Sequence, residues 1–155
     1  MVDAYTAALR ILQYRFNSER ELRRKLAAKR FEAAEIDAAI EKLRVEKWID
    51  DERFAGAYVR TRATRKIGPA RIKRELGAAG VARETADRAI AENLDDQRTA
   101  DDLRAAAEKR RRYLIRRHGD DYVRSAVGKS KLAAYLIHQG YPIDQVRELL
   151  RYDAD

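Results

Sequence analysis

Cysteine does not occur in this sequence of 155 residues, and proline and glycine are scarce, at two and seven residues. Without cysteine the chain has no disulfide framework, no cysteine-based metal site and no thiol nucleophile, which fits a reducing cytosol. No stretch is long and apolar enough to predict a transmembrane helix. The N-terminal stretch lacks the basic start, long apolar block and cleavage site of a secretory signal. We therefore expect a cytoplasmic protein without a membrane partner.

Helix-forming residues dominate what is present. Ala, Leu, Arg, Lys and Glu all favour helices, and the apolar fraction of 45% is too high for a disordered chain. The 34 Lys and Arg residues exceed the 26 Asp and Glu residues, which gives a net charge of +8. The composition therefore predicts an all-α protein whose partner is polyanionic, either nucleic acid or an acidic protein surface.

An apolar pattern of five positions occurs three times along the chain. Its first copy consists of Leu22, Leu26, Phe31, Ile36 and Ile40. Adding 50 to each number gives Ile72, Leu76, Val81, Ala86 and Ile90, and adding 110 gives Leu132, Leu136, Tyr141, Val146 and Leu150. The residues that open the three copies are Ser18, Gly68 and Gly128, and those at the turn are Arg30, Gly80 and Gly140. We interpret the pattern as an internal repeat.

Each copy is typical of two short helices joined by a turn. Ser18 and Glu21 have the spacing of a capping box at a helix start. Pro69 suits the first helical position, where its missing N–H costs nothing. Gly80 and Gly140 suit the left-handed residue that ends a helix.

A longer helix is expected before each pair. The three long helices are predicted over Asp3 to Phe16, from Asp51 onward, and over Gln97 to Arg117. For the second, the predicted inward face consists of Phe54, Ala57, Tyr58 and Thr61. The domains are predicted at 1–46, 47–95 and 96–155, the third carrying an inserted segment, 120–127, that has no counterpart in the others.

Reactive groups do not gather in the sequence, so we expect neither an enzyme nor a metal or cofactor site. His118 and His138 have no metal-ligand spacing, and no phosphate-binding P-loop is present. Ser18 lacks the partners of a nucleophile. The run from Asp50 to Glu52 could hold a metal, but it directly precedes an amphipathic helix and is better interpreted as a helix cap.

Two dense basic clusters are the better candidates for function. Between Arg60 and Gly77 seven cations face one acid, and between Glu108 and Arg117 six cations face one. Single cations are usually solvated, but two clusters on a chain of this charge favour contacts to phosphates, with little sequence readout. The candidate contact residues are Arg60, Arg62, Arg65, Lys66, Arg71, Lys73, Arg74, Arg110, Arg111, Arg112, Arg116 and Arg117.

Sequence-specific DNA reading is not expected. The paired helices could be taken for helix-turn-helix units, whose second helix needs exposed polar or basic residues near its start. Here these helices begin around Glu32, Arg83 and Asp144, and acidic starts repel phosphate.

Four stretches resemble the RecX family, the bacterial regulators of the RecA recombinase. They are SERELRRKLAAKRF (18–31), WIDDERFAGAYVRTR (48–62), KIGPARIKRELGAAGV (66–81) and LIHQGYPIDQV (136–146). The second is similar to the family's DDERFA block, with Trp48 where Tyr is usual, and the third to its GPxxI block. The residues that fall on these two blocks are Asp50, Asp51, Phe54, Ala55, Gly68, Pro69, Ile72, Leu76 and Gly80.

The resemblance implies both a fold and a function. The fold would be three tandem three-helix units that form an elongated, curved array, with the third unit the most divergent. The function would be to bind the RecA filament on DNA and curb RecA's ATPase, strand-exchange and co-protease activities. Many relatives also bind single- and double-stranded DNA without specificity, and we expect a monomer. A nucleic-acid-binding helical module that acts without RecA remains the alternative.

Overall fold

The computed structural model describes residues 2–152, and within them all regular structure is α-helical, as predicted. The ten helices of this part of the chain are α1 (Ala4–Leu12), α2 (Glu19–Ala28), α3 (Ala33–Val45), α4 (Asp51–Thr64), α5 (Pro69–Ala78), α6 (Arg83–Asn93), α7 (Asp96–His118), α8 (Asp120–Arg124), α9 (Ala126–His138) and α10 (Ile143–Tyr152).

The chain divides into two compact units. The first comprises Met1–Tyr58 and Glu75–Ala89, and the second comprises Val59–Arg74 and Ile90–Asp155. Helices α4, α5 and α6 each contribute residues to both units. The three domains predicted at 1–46, 47–95 and 96–155 were drawn from the sequence repeat, whereas these two units are defined by compactness. The three domains stay a prediction.

The core of the first unit is built mainly from the first copy of the apolar pattern. Leu22, Leu26 and Ile40 are fully buried, and residues of α1, including Ala7 and Ala8, pack against them. Helix α1 ends at Leu12 and not at the predicted Phe16. Beyond this end, the side-chain amide of Asn17 donates to the carbonyl of Arg15 at 2.8 Å in the segment that leads to α2.

The capping box at Ser18 is confirmed. The Ser18 hydroxyl accepts a hydrogen bond from the Glu21 amide at 3.1 Å, and the Glu21 carboxylate accepts one from the Ser18 amide at 3.4 Å. These two bonds satisfy backbone donors that a helix start leaves without intrahelical partners. The boundary of α2 is therefore set by its own sequence.

The three repeat turns share one backbone conformation. Arg30, Gly80 and Gly140 all have positive φ, at 66°, 85° and 98°. In each copy the following residue donates its amide to a carbonyl five positions back, on Leu26, Leu76 or Leu136. This is the Schellman arrangement that ends a helix. The left-handed turn predicted from the two glycines is thus confirmed, and Arg30 adopts it as well.

Helix α4 buries a face one position away from the predicted one. Ala55, Val59 and Ala63 are buried at intervals of four residues, together with Phe54, whereas Thr61 is exposed. Small side chains at these positions allow close packing of the helix. Tyr58 is only half-buried, and its hydroxyl donates to the Glu75 carboxylate at 2.9 Å.

The second unit has its own core around α7, α9 and α10. Leu103, Leu114, Leu132 and Leu136 are buried there. Part of the inserted segment forms the short helix α8, which contacts both α7 and α9 and buries Val123.

Helix α9 starts earlier than the repeat predicts. The sequence places the start at Gly128, but the Ser125 hydroxyl caps the helix by accepting from the Gly128 amide at 3.1 Å. Gly128 therefore lies in the first turn of α9. A Cβ atom there would meet the Tyr122 carbonyl of α8 at 2.0 Å, so the α8 backbone lies directly on this residue.

The start of one helix pair meets the turn of the next pair twice in the same way. In the first unit the Ser18 hydroxyl donates to the Ala79 carbonyl at 2.5 Å. In the second unit the Gly68 amide donates to the Gln139 carbonyl at 2.8 Å, and the Ala70 amide donates to the Gly140 carbonyl at 3.0 Å. We call these two contacts the repeat joints.

Candidate functional site

The acidic run at the start of α4 is structural. Asp50 caps α4 by accepting from the amides of Glu52 and Arg53 at 2.9 and 3.2 Å. Asp51 instead accepts from the amide of Glu19, the first residue of α2, at 2.9 Å. Burial raises the pKa of Asp51, and the neighbouring carboxylates of Glu19 and Asp50 raise it further. The run thus joins two helix starts.

The remaining family-signature residues are also explained by packing. Ile72 and Leu76 are fully buried, Pro69 begins α5, and Gly68 and Gly80 lie at the repeat joints. Within residues 2–152, no group of three or more acidic or His side chains is arranged to hold a metal ion. His118 and His138 are both exposed and lie at the ends of different helices.

Two arginines of the first unit are held by acids. Arg44 and Arg23 contact the Glu19 carboxylate at 2.8 and 3.0 Å, and Arg23 also reaches Asp37. Burial raises the pKa of Glu19, but the hydrogen bonds from Arg44 and Arg23 outweigh it, so the pKa lies below its ordinary value. These cations are therefore engaged within the protein.

The first basic cluster lies in the second unit, around the end of α4 and the start of α5. Arg60 donates to the side chain of Asn93 at 2.8 Å, and Arg71 donates to the side chain of Gln139 at 3.2 Å. Arg62 and Lys73 are half-buried. The exposed members of this cluster are Arg60, Arg65, Lys66 and Arg74.

The second basic cluster lies on α7 in the same unit. The Arg110 guanidinium lies 4.6 Å from the ring centres of both Tyr113 and Tyr135, within the range of cation–π attraction. Arg111 and Arg112 pair with Glu108. The remaining candidates are Arg117, which donates to the Tyr113 hydroxyl at 3.1 Å, and Arg116, which is exposed.

Helix α9 brings the two clusters together. Arg71 contacts Gln139 just after the end of α9, and Arg110 contacts Tyr135 four residues earlier. Residues four apart lie on one face of a helix. The two clusters, far apart in sequence, therefore flank the same face of α9. Sequence reasoning missed Tyr135 and Gln139, and only their spacing of four hinted at their shared position.

Tyr141 fixes the backbone of the first cluster. Its side chain is 2% exposed, and its hydroxyl donates to the Lys66 carbonyl at 2.8 Å. Burial raises the pKa of Tyr141 well above its ordinary value, with smaller contributions from Asp102 and Tyr135. The phenol therefore stays protonated in the folded state at a pH where the unfolded chain ionises.

A pH-dependent loss of stability follows from this contact. The contribution of protonated Tyr141 to the free energy of unfolding is fully present below the unfolded pKa of about 10. It is lost as pH rises further, because there only the unfolded state releases the phenol proton. We expect Tyr141→Phe to show a smaller loss of unfolding free energy between about pH 8 and about pH 11 than the parent, measured by urea titration. An equal loss in Tyr141→Phe and the parent would contradict this role.

No helix within residues 2–152 has the length and apolar character needed to span a membrane.

Comparison with known proteins finds one family in both sequence and structure. Models described as the first and second three-helix domains of RecX match residues 4–43 and 50–90. A Regulatory protein RecX from Salmonella newport (strain SL254) is 33% identical over 162 residues, covering 96% of this chain and 90% of that protein. One from Actinobacillus pleuropneumoniae serotype 5b (strain L20) is 42% identical over 72 residues, 44% of this chain and only 48% of that relative's length.

Solved structures agree with the sequence comparison. The crystal structure of RecX from Lactobacillus salivarius matches with a TM-score of 0.78 and 26% identity, covering 96% of this chain and 93% of that one. A second crystal structure of a regulatory protein RecX matches in fold with a TM-score of 0.81 at 24% identity, covering 96% and 70% of the two chains. With a relative of 33% identity along nearly its whole length and both three-helix domain models matched, this chain belongs to the RecX family of regulatory proteins.

Proposed function

We propose that this RecX-family protein binds the filament that RecA forms on DNA and mainly inhibits RecA's ATPase, strand-exchange and co-protease activities. Membership of a family of regulatory proteins supports a role in control over one in catalysis. The main structural support is that residues of both basic clusters contact the same face of α9, which indicates one contact surface. We further propose that the protein acts as a monomer in the bacterial cytoplasm.

The contact surface consists of the exposed cations of the second unit. Arg65, Lys66, Arg74 and Arg116 have exposed side chains, and none of them forms an ion pair with another residue in 2–152. Such cations can approach DNA phosphates or acidic protein groups without first breaking an internal contact. Contacts of this kind fix position on a duplex or single strand but do not read sequence.

Other cations of the two clusters have a supporting role. Arg71 is tied to Gln139, Arg112 to Glu108, and Arg110 to two tyrosine rings. Reversing the charge of Arg71 would break an internal hydrogen bond, so a functional loss in that variant would be ambiguous. The sharper variant is the pair Arg65→Glu and Arg74→Glu, which alters only exposed side chains.

The test is RecA's ATP hydrolysis on single-stranded DNA, with this protein added below RecA's concentration. We expect Arg65→Glu/Arg74→Glu to reduce inhibitory potency at least about tenfold, because two attractive contacts become repulsive. The matched control is Arg24→Glu/Lys47→Glu, which changes two exposed cations of the first unit that form no ion pair within residues 2–152 and lowers the net charge equally, from +8 to +4. Equal potency of the two variants would remove the second-unit surface from the proposal.

RecA-independent nucleic-acid binding is the second candidate function. It is favoured by the Tyr rings beside Arg110, because aromatic side chains among cations can stack on unpaired bases. It predicts binding to bare single strand whose logarithmic salt slope falls by about two in Arg65→Glu/Arg74→Glu. Affinity for bare strand equal to that for RecA-coated strand would favour this candidate over filament binding.

A further inference from the structure

A groove with an apolar floor and a basic rim lies in the first unit, away from both basic clusters in sequence. It is formed by α1, α2 and the turn that follows α2, and its volume is about 830 Å³. This is within the size range of ligand-binding clefts, roughly 300–1,000 Å³. Neither the family signature nor the proposed function assigns it a role.

The floor of the groove is apolar and incompletely covered. Ala7 and Ile11 from α1 and Phe31 from the turn line it, and Ile11 and Phe31 pack against the buried core while remaining partly accessible. Tyr14, one turn beyond Ile11, also lines the groove, yet 90% of its surface is exposed. An occupant would remove these apolar surfaces from water, which stabilises binding.

The rim of the groove carries charge of one sign. Arg10, Arg15, Lys25 and Lys29 line it, and none of the groove residues is acidic. Arg15 reaches Glu21 at 3.3 Å, and Lys25 donates to the side-chain oxygen of Asn17 at 2.6 Å. Arg10 and Lys29 are exposed and form no ion pair within residues 2–152.

The ionisation of Lys25 agrees with a shortage of negative charge in the groove. Burial lowers the pKa of Lys25, and the positive charges of Arg15 and Arg24 lower it further. The carboxylate of Glu21 acts in the opposite direction but does not outweigh them. A carboxylate placed beside Lys25 would offset both the burial and the repulsion. The groove therefore favours an anionic ligand over a neutral or cationic one.

We propose that this groove binds a short acidic amphipathic helix of a partner protein. Its apolar side chains would cover Ile11, Tyr14 and Phe31, and its carboxylates would meet the four cations of the rim. A cleft between two helices with an apolar floor suits an amphipathic helix, and the rim makes that helix acidic. A nucleic-acid duplex, whose bases are stacked inside, would leave the apolar floor without a matching surface. Single-stranded DNA is the rival occupant, and binding of bare single strand that Arg10→Glu/Lys29→Glu and Ala28→Trp both weaken would overturn the proposal.

The test is fluorescence anisotropy of the full chain with a labelled synthetic helix of about three turns, with Leu and Phe on one face and Glu on the others. We expect Arg10→Glu/Lys29→Glu to weaken binding at least about tenfold. Ala28→Trp, at an exposed groove position, should also weaken binding by filling the cleft. Arg65→Glu/Arg74→Glu, which changes two exposed cations of the second unit and lowers the net charge equally, should bind as the parent does, and circular dichroism checks that every variant folds.

Two further probes separate the groove from general attraction between charges. A peptide with Ser in place of Leu and Phe keeps its charge but should lose binding, and so should one with Lys in place of Glu. Unchanged binding of either peptide, or an equal loss in the two charge-reversal variants, would overturn the proposal. Equally strong binding to phosphatidylglycerol vesicles, weakened by the same groove variants, would assign the surface to a membrane and overturn it too.

Discussion

Replacing Gly68 with Ala is expected to lower the free energy of unfolding by about 3 kcal/mol, which is large for the addition of one methyl group. A Cβ atom at this position would lie 2.4 Å from the Gly140 carbonyl carbon and 2.6 Å from the Tyr141 amide nitrogen. Both neighbours are backbone atoms, so neither can rotate away. Moving the two backbone segments apart to make room for the methyl group would also weaken the Gly68–Gln139 and Ala70–Gly140 hydrogen bonds.

Gly77 provides the matched control, since it lies in α5, the helix that begins directly after Gly68. A Cβ atom there meets nothing within 4 Å. Gly77→Ala should therefore stabilise the protein by up to about 0.5–1 kcal/mol, because Ala loses less backbone entropy in a helix. Urea unfolding of both variants gives the comparison. A Gly68→Ala protein as stable as the parent or as Gly77→Ala would refute the close contact at Gly68.

The second large effect is expected at Leu76, where Ala should cost roughly 2–5 kcal/mol. Leu76 is 0% exposed, and its carbonyl also accepts the hydrogen bond of the second repeat turn. Truncation leaves a cavity whose walls are held by helices and cannot fully collapse. Thermal and urea unfolding followed by circular dichroism would measure the loss.

Val45→Ala is the control for the removal of apolar volume at a helix position. Val45 is 72% exposed at the end of α3, and surface substitutions of this kind usually change stability by less than about 0.5 kcal/mol. If Leu76→Ala were as mild as Val45→Ala, the repeat alignment that places Leu76 in the core would be wrong.

Local signals in the sequence were sufficient for the starts of α2 and α5 and for the repeat turns. The Ser18 capping box, Pro69 and the two turn glycines act within a few residues of themselves, so the surrounding fold does not alter their meaning. Arg30 shows the limit of this reasoning. It adopts the left-handed conformation without being glycine, and only its place in the repeat indicates that it does.

The errors arose where a distant element decides the outcome. The third copy aligns Gly128 with two helix starts, but α8 covers Gly128 and Ser125 takes over the cap. On α4 the aromatic Tyr58 suggested an inward face, whereas the close packing of Ala55, Val59 and Ala63 set it. Side-chain size along one helix cannot reveal which neighbour it meets.

The candidate surface was predicted in part. Charge density along the chain picked out twelve cations, but it could not show that two stretches meet on α9, since that depends on the tertiary fold. It also could not separate exposed cations, such as Arg65 and Arg74, from those engaged by the protein, such as Arg110. The groove of the first unit gave no signal, because its cations are spread over separate helices.

The repeat joints have a consequence for how such a chain can grow. At Ser18 and Gly68 the start of a helix pair donates hydrogen bonds to main-chain carbonyls in the turn of the following repeat. Because the acceptors belong to the main chain, a duplicated repeat would need few new side chains to form the same contact. At Gly128 the equivalent position is already occupied by the backbone of α8. A further repeat could not dock on the start of α9 in the same way, because α8 already covers the residue that such a joint would use.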